Sequence, residues 1–142
     1  MPEPTPVLTG DELLAAVATS MISLHVRHHH RVPLGAKVQL IDGELLSCVL
    51  SGVYTEVEQA LIEHERGEFV RQARATMQCV LRETLTAEVR RLSGREVDAF
   101  VSTNHIDPDL EIELFWLAPS AMTRAPASSA AVSAGGCGGQ VT

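Results

Sequence analysis

Apolar positions early in the chain recur at spacings of three and four. Leu14, Val17, Met21 and Leu24 share one face of a helix predicted over about residues 10–29. Thr9-Gly10-Asp11-Glu12 reads as a capping box at its start, with Leu8 and Leu13 placed for a hydrophobic staple, and Pro33 marks its stop. Alternation then takes over, with strands expected near 36–41 and 44–51 around Asp42-Gly43, a two-residue hairpin signal. A second capping box, Thr55-Glu56-Val57-Glu58, opens a helical pattern that lasts to Ser93-Gly94. Unbroken, that helix would be about 57 Å long, too long for a small domain, so a break is expected at Gly67, where glycine can take the left-handed conformation that ends a helix. Beyond it, Val70, Ala73, Met77, Val80, Leu81, Leu85, Val89 and Leu92 form the expected core stripe, with Arg71, Arg74, Arg82 and Arg90 off it.

After Gly94 the alternation returns. Val97, Ala99 and Val101 share one strand face, and Leu110, Ile112, Leu114 and Trp116 share one face of the next strand, so that Glu111 and Glu113 point the other way. Phe100 and Phe115 fall on the second sheet face, to be covered by a helix or by another subunit. The order helix, hairpin, long broken helix, hairpin predicts an α+β fold with a four-stranded, mainly antiparallel sheet packed on helices. The organisation expected is a flexible N-terminus over 1–8, a single domain over 9–118, and an Ala/Ser/Gly-rich disordered tail over 119–142 that contains Cys137.

A chain of 142 residues carries one core. The formal charge of −7 and a single lysine, Lys37, argue against generic nucleic-acid binding, which needs clustered cations. Three widely spaced cysteines, Cys48, Cys79 and Cys137, suit a reducing, cytoplasmic setting. The opening MPEPTPVLTGDE has neither a basic stretch nor an apolar run of the signal-peptide kind, and no run approaches the ~20 apolar residues of a transmembrane helix. Membrane contact is therefore expected to be peripheral, through a partner.

Two clusters invite chemistry. Asn104-His105-Ile106-Asp107-Pro108-Asp109 holds donors of the metal-binding and hydrolytic type, but these are also turn-building residues between two alternating strands, and the turn is the expectation. Asp109 keeps a binding role there if an arginine approaches it. In His25-Val26-Arg27-His28-His29-His30-Arg31, His25 and His29 lie four apart, a workable ligand spacing should His64 supply a third donor. The alternative is a solvated helix C-terminus whose cations interact with the dipole. No GxSxG elbow, GxGxxG loop or GKS/T loop occurs, so no catalytic residue and no cofactor is expected. Arginines on the long helix alternate with glutamates as a salt-bridged surface, with Arg71 and Arg74 as candidates for an acidic partner.

Leu92-Ser93-Gly94-Arg95-Glu96-Val97, Phe100-Val101-Ser102-Thr103-Asn104-His105-Ile106-Asp107-Pro108-Asp109 and Glu113-Leu114-Phe115-Trp116-Leu117 together resemble the MpsC-like domain family. Thr55-Glu56-Val57-Glu58 and Arg66-Gly67-Glu68-Phe69-Val70 with Arg74 extend the resemblance over roughly residues 12–118. Where the family has a Gly-Arg-Gly-Pro turn after its first helix, this chain has His29-His30-Arg31-Val32-Pro33. The resemblance implies a non-enzymatic accessory protein of a membrane-potential-generating system linked to cation and bicarbonate transport. Its expected partner is a protein, such as a membrane transport component, and a homodimer is a further expectation. The candidate surface comprises Arg31, Arg71, Arg74, Phe100, Phe115 and Asp109. The alternative is a small-ligand- or metal-binding regulatory domain built on His25, His29 and Arg31, with His64 as third ligand; a hydrolase using His105, Asp107 and Asp109 ranks last.

Overall fold

Helical spacing and alternation resolve, in a computed structural model describing residues 6–120, into seven elements. They are α1 (Gly10–His29), β1 (Gly35–Ile41), β2 (Leu45–Ser51), α2 (Glu56–Glu63), α3 (Gly67–Ser93), β3 (Val97–His105) and β4 (Leu110–Leu117). The strands form one antiparallel sheet in the order β1-β2-β4-β3, so the two hairpins join along β2 and β4. The helix, hairpin, helices, hairpin order and the α+β class are as the sequence predicts. Residues 1–5 of the expected flexible N-terminus, and residues 121–142 of the expected tail with Cys137, lie outside the described residues. Leu8, still before α1, donates its amide to the Leu92 carbonyl at the end of α3.

α1 buries Leu13, Val17, Met21 and His25, a strict four-residue spacing. Leu14 and Leu24 only flank that stripe. Thr9 is the N-cap, but its side chain makes no capping bond; Gly10 follows at φ +57°, and the first helical bond runs from the Leu13 amide to the Thr9 carbonyl. Asp42 and Gly43 both have positive φ, as the hairpin signal requires, although the ladder pairs Ile41 with Leu45 and leaves three residues in the loop. The second capping box is complete: the Glu58 amide donates to the Thr55 hydroxyl and the Thr55 amide to the Glu58 carboxylate.

The helix does break before Gly67, but by a different residue. Glu65 takes the left-handed conformation at φ +61°, and Gly67 is the first residue of α3. Along α3 the buried positions include Val70, Arg74, Gln78, Leu85, Val89 and Leu92. The core stripe therefore contains Arg74 and Gln78, while Ala73 and Val80, expected inside, are exposed.

Of the two covers expected for the Phe100 and Phe115 face, a helix is the one found, which takes both residues out of the candidate surface. The core face carries Phe100, Ser102 and Asn104 of β3 paired with Phe115, Glu113 and Glu111 of β4. The register shift between Val97 and Ala99 inserts Asp98 as an extra residue, so Val97 and Phe100, an odd number apart, both turn inward. Phe100 and Phe115 pack with ring centroids 5.0 Å apart inside the core, and with Phe115 0% exposed they offer no interaction surface.

Since left-handed φ at a non-glycine residue is strained, Glu65→Gly is expected to stabilise the fold by about 0.5–1 kcal/mol, and Gly67→Ala, at a helical position where a Cβ would meet Ile62 and Ile106 at ordinary contact distance, by a similar amount. Urea midpoints of the two variants against the parent chain check both signs.

Candidate functional site

Arg74 projects from α3 into the space between α1, α2 and the sheet and is 2% exposed. Its guanidinium forms a two-pronged pair with Glu58: Nε donates to Oε2 at 2.7 Å and Nη2 to Oε1 at 2.6 Å. Nη2 also donates to the Val53 carbonyl at 2.7 Å, and Nη1 lies 3.0 Å from His25 Nε2 and 3.7 Å from Glu111 Oε1. The Tyr54 ring lies under the cation, 5.3 Å from its centre. One planar fork thus ties α3 to the capping box of α2, to α1, to the strand-to-helix link and to β4.

The titratable groups around it answer to this geometry. Burial would raise the Glu58 carboxyl, but its bonds from Arg74 and the Thr55 amide outweigh that and hold it below the ordinary range. His25 Nδ1 meets the Arg31 carbonyl at 2.8 Å, so with Nε2 accepting from Arg74 the proton resides on Nδ1. Burial first, with the neighbouring cation, lowers its pKa. His29, tilted against His25 at 4.7 Å between ring centroids, is pushed down to about 4 by burial, then by Arg74 and His25. The solvated helix end expected of this segment is therefore corrected: His25 belongs to the core stripe. Both its nitrogens are engaged, and among the described residues no three His, Cys, Asp or Glu side chains gather as a metal set, so His25, His29 and His64 do not converge.

The quoted cluster before β4 divides. Asn104 is a buried β3 residue, and the turn itself spans Ile106–Asp109. Asp109 accepts from the Val53 amide at 2.8 Å and its backbone carbonyl from Gly52, while Tyr54 donates its hydroxyl to the His105 carbonyl. Its partners are thus backbone amides, and the turn fastens the second hairpin to the link after β2. Arg31 reaches the same link, with Nε donating to the Gly52 carbonyl at 2.9 Å. Gly52 sits at φ +63° with Leu34 so close that a Cβ would overlap it, which makes glycine a requirement there. Arg31, Tyr54 and Asp109 border an open groove of about 420 Å³. Arg71 is half exposed, 3.8 Å from Glu68. Cys48 is buried, and burial with the nearby Glu113 and Glu111 pushes its thiol up to about 12, far from a reactive thiolate.

The opposite sheet face, on which the alternation places Ile112, Leu114 and Trp116 of β4, is open. Trp116 is 46% exposed, Val101 and Ile41 are exposed, and Ile112 and Leu114 are half buried beside them. The helices all lie against the other face, whose residues make the core. Its signal in the sequence is the alternation of apolar residues itself, which gives the face but not the side it takes.

These features define a small α+β domain with a cation-centred polar interior and an uncovered apolar sheet face, and with no helix among the described residues long and apolar enough to cross a membrane. The chain belongs to the MpsC family, described as the Na+-translocating membrane potential-generating system, whose family model matches residues 9–119. No curated protein and no solved structure matches the chain.

Arg74→Met leaves Glu58 and Glu111 without their cation and is expected to cost about 3–5 kcal/mol, of which Glu58→Gln in the same chain restores a part; denaturant unfolding of the two single variants and the double variant measures the coupling. For His29 the unfolded chain binds more protons between pH 6.5 and about 4, so stability present above 6.5 is lost as pH falls toward 4. His29→Gln should remove about 1–2 kcal/mol of that loss, solvent contact of the half-buried ring included, seen as a flatter thermal-stability profile over this pH window.

Proposed function

We propose that the chain is a non-enzymatic accessory component of a membrane-potential-generating cation transport system and that it acts by docking its open sheet face on a membrane-embedded protein of that system. The observation that carries this reading is the apolar face of Ile41, Val101, Ile112, Leu114 and Trp116, left bare by the helices. An apolar surface of this kind, centred on an exposed tryptophan, is the composition of a protein interface core. The family description associates the chain with a membrane system, and with no spanning helix among the described residues, that association calls for contact with a protein that does span. The occupant is accordingly a membrane protein rather than a second copy. A position at the cytoplasmic side, peripheral to the membrane, and a link to bicarbonate as well as cation transport belong to the same reading. The absence of a catalytic role draws support from the thiol of Cys48 and the imidazole of His25 being committed to packing and hydrogen bonds.

The test is capture from detergent-solubilised membranes by the full chain, with the captured proteins identified by mass. Recovery of an integral membrane transport protein, reduced at least about 10-fold by Trp116→Asp or Ile112→Asp while Arg71→Glu leaves it unchanged, is the expected outcome. Equal capture by all variants, or a stable homodimer in sedimentation that Trp116→Asp disrupts, would overturn it. Phe115→Asp is unsuitable as a surface probe, because Phe115 is a core residue.

A further inference from the structure

Strand register sorts the open sheet face into rows. Ile41, Leu45, Trp116 and Ala99 form one row across β1, β2, β4 and β3, and every member is apolar. The next row carries Leu114 beside Val101, and the one after it Ile112 beside Val49. Neighbours within a row lie about 5 Å apart and rows about 7 Å apart, so the apolar strip is continuous and widest at the Trp116 row. Around that row the charge is negative. Asp42 and Glu44 stand in the loop that joins Ile41 to Leu45, and Asp98 is the bulged residue beside Ala99. All three are exposed, and none is ion-paired among the described residues. The cations nearest them in the chain are already engaged: Arg90 lies 3.6 Å from Glu96, and Arg95 donates its Nε to the Ala118 carbonyl. The chain's one lysine, Lys37, is exposed two rows away, opposite Val49.

We propose, resting on the docking reading of this face, that its occupant is a basic amphipathic helix of the partner, its apolar side chains on the strip and its Arg or Lys side chains at the Trp116 end. Each part of such a helix answers a feature of the face. Apolar side chains cover the strip, and a helix layer is the usual complement of an open sheet face. A guanidinium meets Trp116, whose ring is 46% exposed and presents a π-face amid the Asp42, Glu44 and Asp98 carboxylates. Lys37 repels a cation at the far end and so sets the direction in which the helix lies. The same carboxylates count against a lipid surface as occupant, because the cytoplasmic leaflet is anionic and the chain carries a formal charge of −7. Protein segments that flank a membrane span on its cytoplasmic side are, by contrast, rich in Lys and Arg. An apolar strip with an acidic rim is complementary to that composition.

A fluorescent peptide of about 18 residues, with a leucine stripe at helical spacing and arginines in its last two turns, tests the assignment; a second peptide carries glutamates in place of the arginines. Anisotropy at about 0.1 M salt should show the full chain binding the arginine peptide at least about 10-fold tighter than the glutamate peptide. Asp42→Asn, Glu44→Gln and Asp98→Asn combined, surface changes that keep side-chain size, should weaken the arginine peptide about 10-fold. Trp116→Asp, its fold verified by circular dichroism, adds negative charge while removing the apolar centre. It should therefore weaken binding at least about 10-fold, whereas attraction by net charge alone would strengthen it. Equal binding of the two peptides, no binding of either, or undiminished binding by either variant overturns the proposal. Sedimentation of the parent chain with phosphatidylserine vesicles that Trp116→Asp abolishes also overturns it, by making the face a lipid site. Capture of a membrane protein that Trp116→Asp abolishes and the triple variant leaves intact keeps the docking reading and overturns the basic helix alone.

Discussion

A guanidinium taken out of water is stable only where every face of it is answered, and Arg74 is answered by four residues at once. Glu58 meets it with both oxygens, Val53 with a carbonyl, His25 with a ring nitrogen and Tyr54 with its π-face. Each partner has a second duty. Glu58 closes the α2 capping box, His25 holds the Arg31 carbonyl, and Tyr54 reaches the His105 carbonyl at the turn before β4. The desolvation of one cation, several kcal/mol by itself, is thus offset by bonds that also fix where α1 stops, where α2 begins and where the second hairpin attaches. This arrangement specifies geometry more than it adds stability, since a well-packed apolar residue could fill the same volume without locating any of those ends.

That constraint also explains which parts of the structure were legible beforehand. Helix limits, the Asp42-Gly43 turn and the Thr55–Glu58 box depend on neighbours a few residues apart, and they appear where the sequence places them. What was misread depends on contacts distant in sequence. Arg74 and Gln78 sit at positions 70, 74, 78 of a regular buried stripe, but a scale that ranks residues by hydrophobicity removes them from it and substitutes Ala73 and Val80. His25 extends the α1 stripe by the same four-residue step and was passed over for the same reason. For the strands, alternation gives the shared faces but not which side is inward, and the Asp98 bulge shifts the phase within β3.

The candidate residues fared according to whether their chemistry was already engaged. Arg31 and Asp109 proved to be fasteners of the Gly52–Tyr54 link, joined to backbone atoms of that segment. Arg74 proved to be interior, and Phe100 and Phe115 are its apolar counterpart at the other end of the core. Arg71 alone of that group stays at the surface, paired loosely with Glu68. Removing these from consideration as contacts leaves the apolar strip of Val101, Ile112, Leu114 and Trp116 on the open sheet face.

The half of the second hairpin nearest its turn is therefore inverted in polarity relative to an ordinary two-layer domain: Glu111, Glu113, Ser102 and Asn104 face the helices beside the core pair Phe100 and Phe115, while Ile112, Leu114, Trp116 and Val101 face outward. Each half of that inversion is costly in isolation. Buried carboxyls must be protonated or matched by a cation, and exposed large apolar side chains forgo about 25 cal/mol for every Å² left in water. A one-residue shift of register would bring Ile112, Leu114 and Trp116 inward but would put Phe100, Phe115 and Leu117 outside, and the Asp98 bulge and the Arg74–Glu111 contact hold the present phase. The phase so held keeps the Glu111 and Glu113 carboxyls beneath the helices and an apolar strip on the open face. β4 thus links the polar interior and the outer face, its alternate residues turning to one and then the other.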